Sequence, residues 1–481
     1  MKESDNSYRS ILKGTSIFGG VQVFQMLIAL IRGKFVAILL GPEGMGISSL
    51  LNSAATPLQQ FSSLGINLAI VKEASATQSD TSRLTIVIAL CRKILLFTAL
   101  LGAVACLILS PWLSEWTFGS ADHLLWFVLL SVFIFITTMS NGEMSILQGL
   151  HHVKDLARSS LIGSAIGLLT GIPLYYLFGV NGIVPAMIII AQSTFICYRL
   201  YLCKHSSSPA INLKEHWPTI KRLIILGLTM MLASLIGSFV IYLINVYVRE
   251  QGSTTDVGLY QAATSISSQY VAVIFSAMAL DYFPRLTAAG NDTPRVNAIV
   301  NRQSEIISYI ISPISCVLII SAPLIVRLLL ASTFYDTIPL IQCMGISLYL
   351  KALAYPLGYI SFSKGDKRTF LLLEGIFGNL LNLSLSLLMY HSFGLIGLGY
   401  SQILVFLITW AIYLVICRKL YDYHADRKIL RTEILLAAPV ILCYMSVTAL
   451  SWPLSYIISV PVVIILGYLS FIRLKSRFKQ S

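Results

Sequence analysis

Fourteen apolar stretches, each long enough to cross a hydrocarbon layer as a helix, follow one another along this chain with little between them. They run approximately over 14–40, 47–71, 85–110, 123–147, 158–178, 182–203, 219–248, 257–284, 304–330, 337–362, 369–390, 395–417, 433–451 and 453–472. Lipid offers no partner to a free peptide group, so only helices and closed barrels span it. The runs are continuous and do not alternate at period two, which excludes a barrel. Composition agrees: 481 residues are 56% hydrophobic and 11% charged, with a mean hydropathy of +0.79. The expected fold is an all-α polytopic membrane protein of about 14 transmembrane helices. A polar start, MKESDNSYRSILK, runs directly into a span too long for a signal h-region, so the first helix is expected to serve as its own uncleaved insertion signal.

Charge sets the topology. The net charge of +13 would suggest nucleic acid in a soluble protein, but here its placement argues otherwise. The first, third and fifth links (GPEG, the segment around Trp112–Asp122, and FGVNG) hold no Lys or Arg. The intervening links carry Lys72 and Arg83; Lys154 and Arg158; and Arg199, Lys204, Lys214, Lys221 and Arg222. In the second half, Arg285, Arg295, Arg302, Lys364, Lys367, Arg368 and the cluster from Arg418 to Arg431 fall on that same side, as do both ends of the chain. Arg249 and Arg327 stand on the other. By the positive-inside bias both termini are cytoplasmic, and the basic excess is also attracted to anionic lipid. Arg92 and Lys93 are expected at the cytoplasmic interface. No nucleic-acid partner is implied.

The chain repeats itself. GMGISSLLNSAATPL after the first span resembles DVGLYQAATSISSQY after the seventh, with Gly46 and Gly258 separated by 212 residues. FGVNGIVPA resembles FGLIGLGYS, with Gly179 and Gly394 separated by 215. Two landmarks at nearly one offset predict two six-helix lobes in the same orientation. The expected division is an N-lobe over 1–205, a cytoplasmic linker over 206–218, a C-lobe over 219–420, and two further helices with a basic tail over 421–481.

Charges inside apolar runs are the candidate functional residues, because a cation at membrane depth costs at least about 2.5–3.5 kcal/mol unless it faces a cavity or a partner. Arg32 and Lys34 lie within the first span, and either snorkel to an interface or line a polar cavity. Lys351 lies near the middle of the tenth, in SLYLKALAYPLGY. Asp281 and Arg285 are four apart, on one face if the helix survives Pro284, and Arg302 precedes Glu305 by three. These charges are either interfacial pairs that anchor helix ends or a ring at a cavity mouth. Arg249, at the outer end of the seventh span, either caps the cavity or meets headgroups. Glu143 and Glu374 read as structural partners.

Enzymatic signatures are missing: there is no G-x-x-x-x-G-K-[ST] loop, no H-E-x-x-H and no G-x-S-x-G. The eight cysteines are scattered without C-x-x-C pairs, which argues against a metal site or a disulfide framework. No catalytic residue, metal ligand or cofactor is expected. Membrane glycosyltransferases and polymerases would be expected to carry carboxylates or paired arginines on a substantial outward loop, and the outward loops here are too short.

Five segments in order carry a family resemblance: GKFVAILLGPEGMGISSLL at 33–51, GLYQAATSISSQYV at 258–271, ALDYFPRLT at 279–287, YPLGYISFSKGDKRTFLLLE at 355–374 and FGLIGLGYSQI at 393–403. Together they resemble the Wzx-type O-antigen and polysaccharide-unit flippases of the multidrug/oligosaccharidyl-lipid/polysaccharide exporter superfamily. The resemblance implies a V-shaped pair of six-helix lobes around a cationic central cavity. It further implies that a sugar unit on undecaprenyl diphosphate is flipped from the cytoplasmic to the periplasmic leaflet of a bacterial inner membrane. Carried onto this sequence, the cavity cations would be Lys34 and Arg32, joined by Arg302 and Lys351. Polysaccharide polymerase and chain-length proteins are the implied partners. The first helix lacks the acidic residue that proton- or sodium-coupled drug exporters often use, which lowers the drug-antiport reading. Coupling to H+, to Na+ or to the membrane potential alone stays open. A multidrug antiporter and a non-transporting scaffold of polysaccharide assembly are the alternatives.

Overall fold

Helix makes up most of every expected span, since each run can satisfy its own peptide groups only by i→i−4 bonding, but the span expected over 47–71 is interrupted by a turn at Leu64 and Gly65. A computed structural model describes residues 2–77, 81–203, 217–451 and 453–479. Residues 206–216 of the expected linker lie outside these, as do Lys204 and His205. In chain order the helices are α1 (Lys2–Ser63), α2 (Ile66–Ala76), α3 (Thr81–Phe118), α4 (Leu124–Gly149), α5 (Val153–Phe178), α6 (Ile183–Cys203) and α7 (Trp217–Gln251). They continue with α8 (Thr254–Ala289), α9 (Thr293–Leu329), α10 (Ile338–Ser363), α11 (Lys367–Phe370), a π-helical turn (Leu371–Phe377), α12 (Gly378–Phe393), α13 (Leu395–Tyr421), α14 (Arg427–Ala449) and α15 (Leu454–Lys479). Among the described residues there is no strand, and 10 stretches are long and apolar enough to cross a membrane. The chain is a multi-pass membrane protein. The expected GPEG turn is a break inside α1, where Gly41 takes φ 66° and ψ −171° ahead of Pro42.

Contacts divide the chain into two units, Met1–Glu250 and Gln251–Ser481. In the first, α4 packs against α3 and α6, and α5 against α6 and α1. The α5–α6 contact is close because Gly163, Gly167 and Gly171 repeat every four residues along α5. A Cβ at Gly163 would sit 2.7 Å from Thr194 Cα, and one at Gly167 would sit 3.1 Å from Ile190 Cα. The polar core of this unit is ionic. Arg92 of α3 donates through Nε and Nη2, each at 3.0 Å, to the two carboxylate oxygens of Glu143 on α4. Arg199 of α6 adds Nη1 to Oε1 at 2.6 Å. The Glu143 side chain is 1% exposed. Lys93 is exposed as expected for an interface, but Arg92 turns inward to this group.

In the second unit α10 is the hub, packing against α8, α9, α13 and α14, while α12 packs on α13 and α15 on α9. The last two helices are tied in by backbone acceptors: Ser312 donates to Leu436 O at 2.8 Å and Tyr349 to Glu433 O at 2.6 Å. The turn after α10 is fastened by Asp366. It accepts from the Thr369 hydroxyl at 2.7 Å, the Thr369 amide at 3.1 Å and the Tyr421 hydroxyl at 2.8 Å. These bonds, those from Thr369 foremost, hold its carboxyl below the ordinary aspartate value.

The repeat is visible in backbone geometry. Gly179 after α5 (φ 55°) and Gly394 after α12 (φ 62°) adopt the same left-handed bend. Each amide bonds the carbonyl four residues back, that of Tyr175 or Tyr390. Three residues on, a Cβ at Gly182 would lie 2.3 Å from Leu174 O and one at Gly397 would lie 2.0 Å from Met389 O. Upstream, His151 after α4 (φ 53°) matches Gly365 after α10 (φ 68°), 214 residues apart. The separation thus grows by one residue between this pair and the Gly179/Gly394 pair. The π-helical turn lies in that interval: α5 has 26 residues, whereas the stretch Lys367–Phe393 has 27. One inserted residue is what a π-bulge accommodates.

Two outcomes follow for stability. Gly163→Ala should lower the thermal midpoint of the purified protein by an amount equivalent to about 1–3 kcal/mol of overpacking, and more than Gly167→Ala does. An unchanged midpoint would refute the close α5–α6 approach. Glu143→Gln should cost about 3–5 kcal/mol, because it strips the counter-charge from two guanidinium groups, whereas replacing Glu143, Arg92 and Arg199 together by Met should recover most of that loss.

Candidate functional site

The one cation lining the two large cavities of the second unit, among the described residues, is Lys351. Its helix explains its position. Ser347, Leu348, Lys351, Ala354, Tyr355, Gly358 and Phe362 recur at spacings of three and four on α10 and form one face. The opposite face, including Tyr349, Leu353, Pro356 and Ile360, is buried in the unit's core. The Lys351 ammonium lies 5.6 Å from the ring centre of Phe275 on α8 and 5.7 Å from that of Phe406 on α13. Two cation–π contacts, each worth about 0.5–2 kcal/mol, offset part of the cost of holding the charge there.

The cavities are each about 370 Å³ and share Lys351, Tyr355 and Phe406. That size falls within the range of small-ligand sites, about 300–1,000 Å³. One is aromatic: Tyr359, Phe362, Phe370 and Tyr413 line it with a single carboxylate, Glu374. The other is lined by hydroxyls and an amide, from Tyr260, Thr264, Ser267, Ser268, Ser276, Ser347 and Gln402. Tyr355 is pinned between them, donating to Phe275 O at 2.8 Å and to Tyr359 Oη at 3.1 Å.

Glu374 sits in the π-helical turn. The Tyr413 hydroxyl donates to its Oε1. Room for that oxygen comes from Gly358, where a Cβ would stand 2.7 Å away. Chemically the arrangement offers an anion a positive anchor, and a polyhydroxyl ligand acceptors, donors and flat apolar faces. Among the described residues, no three His, Cys, Asp or Glu side chains gather as a metal site.

The other candidate residues lie elsewhere. Asp281 and Arg285 form an exposed i,i+4 pair at 2.7 Å on α8, which continues through Pro284. Arg302 is exposed on α9. Neither cavity wall includes these three. Arg249 donates through Nη2 to Trp116 O at 2.9 Å, placing its charge on the carbonyl end of α3. Its guanidinium also fills the space left by Gly119, where a Cβ would be 2.9 Å from Nη1. Arg32 and Lys34 are exposed on α1. Glu374, read from sequence as a structural partner, has such a partner in Tyr413 and also stands in the cavity wall with Lys351. The paired tyrosines four apart at 355 and 359, with a glycine between them, were its one sequence signal.

Comparison with known proteins places this geometry. The lipid III flippase of Escherichia coli (strain K12) is 23% identical over 350 residues, covering 72% of this chain and 83% of that protein. The lipid III flippase of Shigella flexneri matches to the same extent. Among solved structures, the lipid II flippase MurJ in an inward closed conformation aligns with a TM-score of 0.70 at 14% identity, covering 96% of this chain and 98% of that one. An inward-facing multidrug resistance MATE transporter of the MOP superfamily gives 0.71 at 17% identity, covering 83% and 94%. These relatives are flippases and transporters rather than enzymes, and the chain shares their fold. Its residues 35–339, well over half its length, match the family described as polysaccharide biosynthesis protein, and the chain belongs to that family.

Proposed function

We propose that this chain is a Wzx-type flippase. In this reading it carries an oligosaccharide on polyprenyl diphosphate from the cytoplasmic to the periplasmic leaflet of a bacterial inner membrane by alternating access. Fourteen spans, both termini cytoplasmic, and two six-helix lobes over 1–205 and 219–420 followed by two helices belong to the same proposal. The observation that carries it is Lys351, a lone cation at mid-span held between Phe275 and Phe406 and open to two ligand-sized cavities. The names of the lipid III relatives support the same substrate class.

The physics is direct. A diphosphate cannot cross hydrocarbon unaided, since an unpaired ion there meets a desolvation cost of many kcal/mol. A cation placed in advance beside wet cavities offsets that cost while the polyprenyl tail stays in lipid. Arg32, Lys34 and Arg302, each exposed on its own helix, are the further candidate cations of this reading. Moving two negative charges outward across ~150 mV, inside negative, gains about 7 kcal/mol at about 2.3 per charge per 100 mV. No cofactor or ATP is then required, and H+ or Na+ coupling would add to this term. The flipped unit would pass to polymerase and chain-length proteins. One observation favours a second reading: a carboxylate in an aromatic cavity suits a lipophilic cation, as in multidrug antiport.

Purified chain in proteoliposomes with a fluorescent polyprenyl-diphosphate oligosaccharide tests both. Lys351→Gln should slow flipping about tenfold or more, a barrier change of about 1.4 kcal/mol, while Lys351→Arg keeps most of the rate. Equal rates for wild type and Lys351→Gln would remove the cationic anchor. Ion-dependent efflux of a cationic dye with no lipid flipping would favour the antiporter.

A further inference from the structure

We propose that the aromatic cavity beside Lys351 is a subsite for a non-acidic sugar, with Glu374 as the residue that turns acidic sugars away. The inference rests on the flippase reading and deepens it. Three features fix Glu374 for a task rather than leaving it as a stray charge. Its backbone lies in a π-helical turn, a conformation frequent at functional sites. Its Oε1 is held by the Tyr413 hydroxyl. Gly358 leaves that oxygen space that any side chain would take, with a Cβ at 2.7 Å.

The walls suit a pyranose. Tyr355, Tyr359, Phe362 and Phe406 offer flat faces for the apolar side of a sugar ring. An ionised Glu374 accepts hydrogen bonds and donates none, so it pairs with sugar hydroxyls or an acetamido N–H. A uronic acid would bring a second carboxylate into the same low-dielectric space, where like charges repel strongly. Lys351 lines the same cavity, but in this reading the diphosphate takes up its charge when the lipid is bound. The hydroxyl-lined cavity, by contrast, contains no carboxylate among the described residues and so has no group that turns an acidic sugar away. The substrate class that follows is a lipid-linked unit whose diphosphate-proximal sugars are neutral hexoses or N-acetylhexosamines.

The test uses the full-length protein in proteoliposomes and two polyprenyl-diphosphate disaccharides of equal size, one neutral and one whose diphosphate-proximal sugar is a uronic acid. Wild type should flip the neutral lipid at least tenfold faster than the acidic one. Glu374→Gln should collapse that ratio at least tenfold, and Gly358→Ala, which displaces the carboxylate without removing it, should lower it in the same direction. Equal wild-type rates for the two lipids, or a ratio unmoved in Glu374→Gln, would overturn the subsite. If neither lipid is flipped, the flippase reading fails and binding measured by native mass spectrometry still decides the inference. A neutral preference lost in Glu374→Gln supports it, and equal binding of both lipids overturns it.

Discussion

A charge in hydrocarbon must be compensated, and in the second unit the Lys351 ammonium is held to that constraint beside two cavities. Lys351 meets it with two phenyl rings and an open cavity rather than with a neutralising salt bridge. Much of the surrounding architecture serves that choice. Because α10 carries the lysine on one face, its other face must be packed on several sides, and α8, α9, α13 and α14 supply those contacts. The rings that hold the ammonium come from α8 and α13, so the same two neighbours that bury the helix also position its charge. In the first unit the corresponding constraint is solved oppositely. Glu143 is enclosed by two arginines from different helices, an arrangement that satisfies the charges but leaves no ligand position on the carboxylate.

Much of this was legible from the chain alone, for identifiable reasons. Span positions follow from hydropathy because peptide bonding in lipid permits one local answer. Lys351 stood out because a lone lysine amid SLYL and ALAYPLGY has no neighbour in sequence to pair with. The internal repeat was readable through Gly179 and Gly394, since a positive φ restricts the residue that can occupy it. Long-range partnerships were not readable. Arg92 lies 51 residues from Glu143 and Arg199 lies 56, and nothing in local composition distinguishes an inward arginine from an interfacial one. The place of Glu374 in a cavity wall was not readable for a related reason. Close to the basic run KGDKR it resembles a helix-end carboxylate, and only the fold reveals that its turn faces the cavity of Lys351.

Glycines serve packing in one place and polarity in another. Gly163, Gly167 and Gly171 let α5 press on α6, closing space. In the second unit, Gly358 opens space on the cavity face of α10, where a side chain would strike the Glu374 carboxylate and Tyr413. Lacking Cβ serves close helix contact in one case and a polar site in the other. The residue type alone cannot say which; its neighbour across the gap does.

The inserted residue explains why the two units differ where they do. Adding one residue to a regular α-helix rotates everything beyond it by about 100°, which would swing the following apolar face off its neighbours. The π-helical turn absorbs the extra residue locally, so α12 regains register: Gly394 repeats the positive-φ bend of Gly179, and Gly397 the close approach of Gly182. At the uncorrected offset of 214, Glu374 corresponds to Ser160 and Lys351 to Thr137, neither of which is charged. Ser160 is instead occupied by Gln25 as a hydrogen-bond partner. Carboxylate, ammonium and helix irregularity thus occur together in one unit and are missing from the matching places of the other. A π-turn is a poorer backbone than an α-helix, so stability does not account for it. Directing Glu374 into the Lys351 cavity while preserving the packing beyond it does.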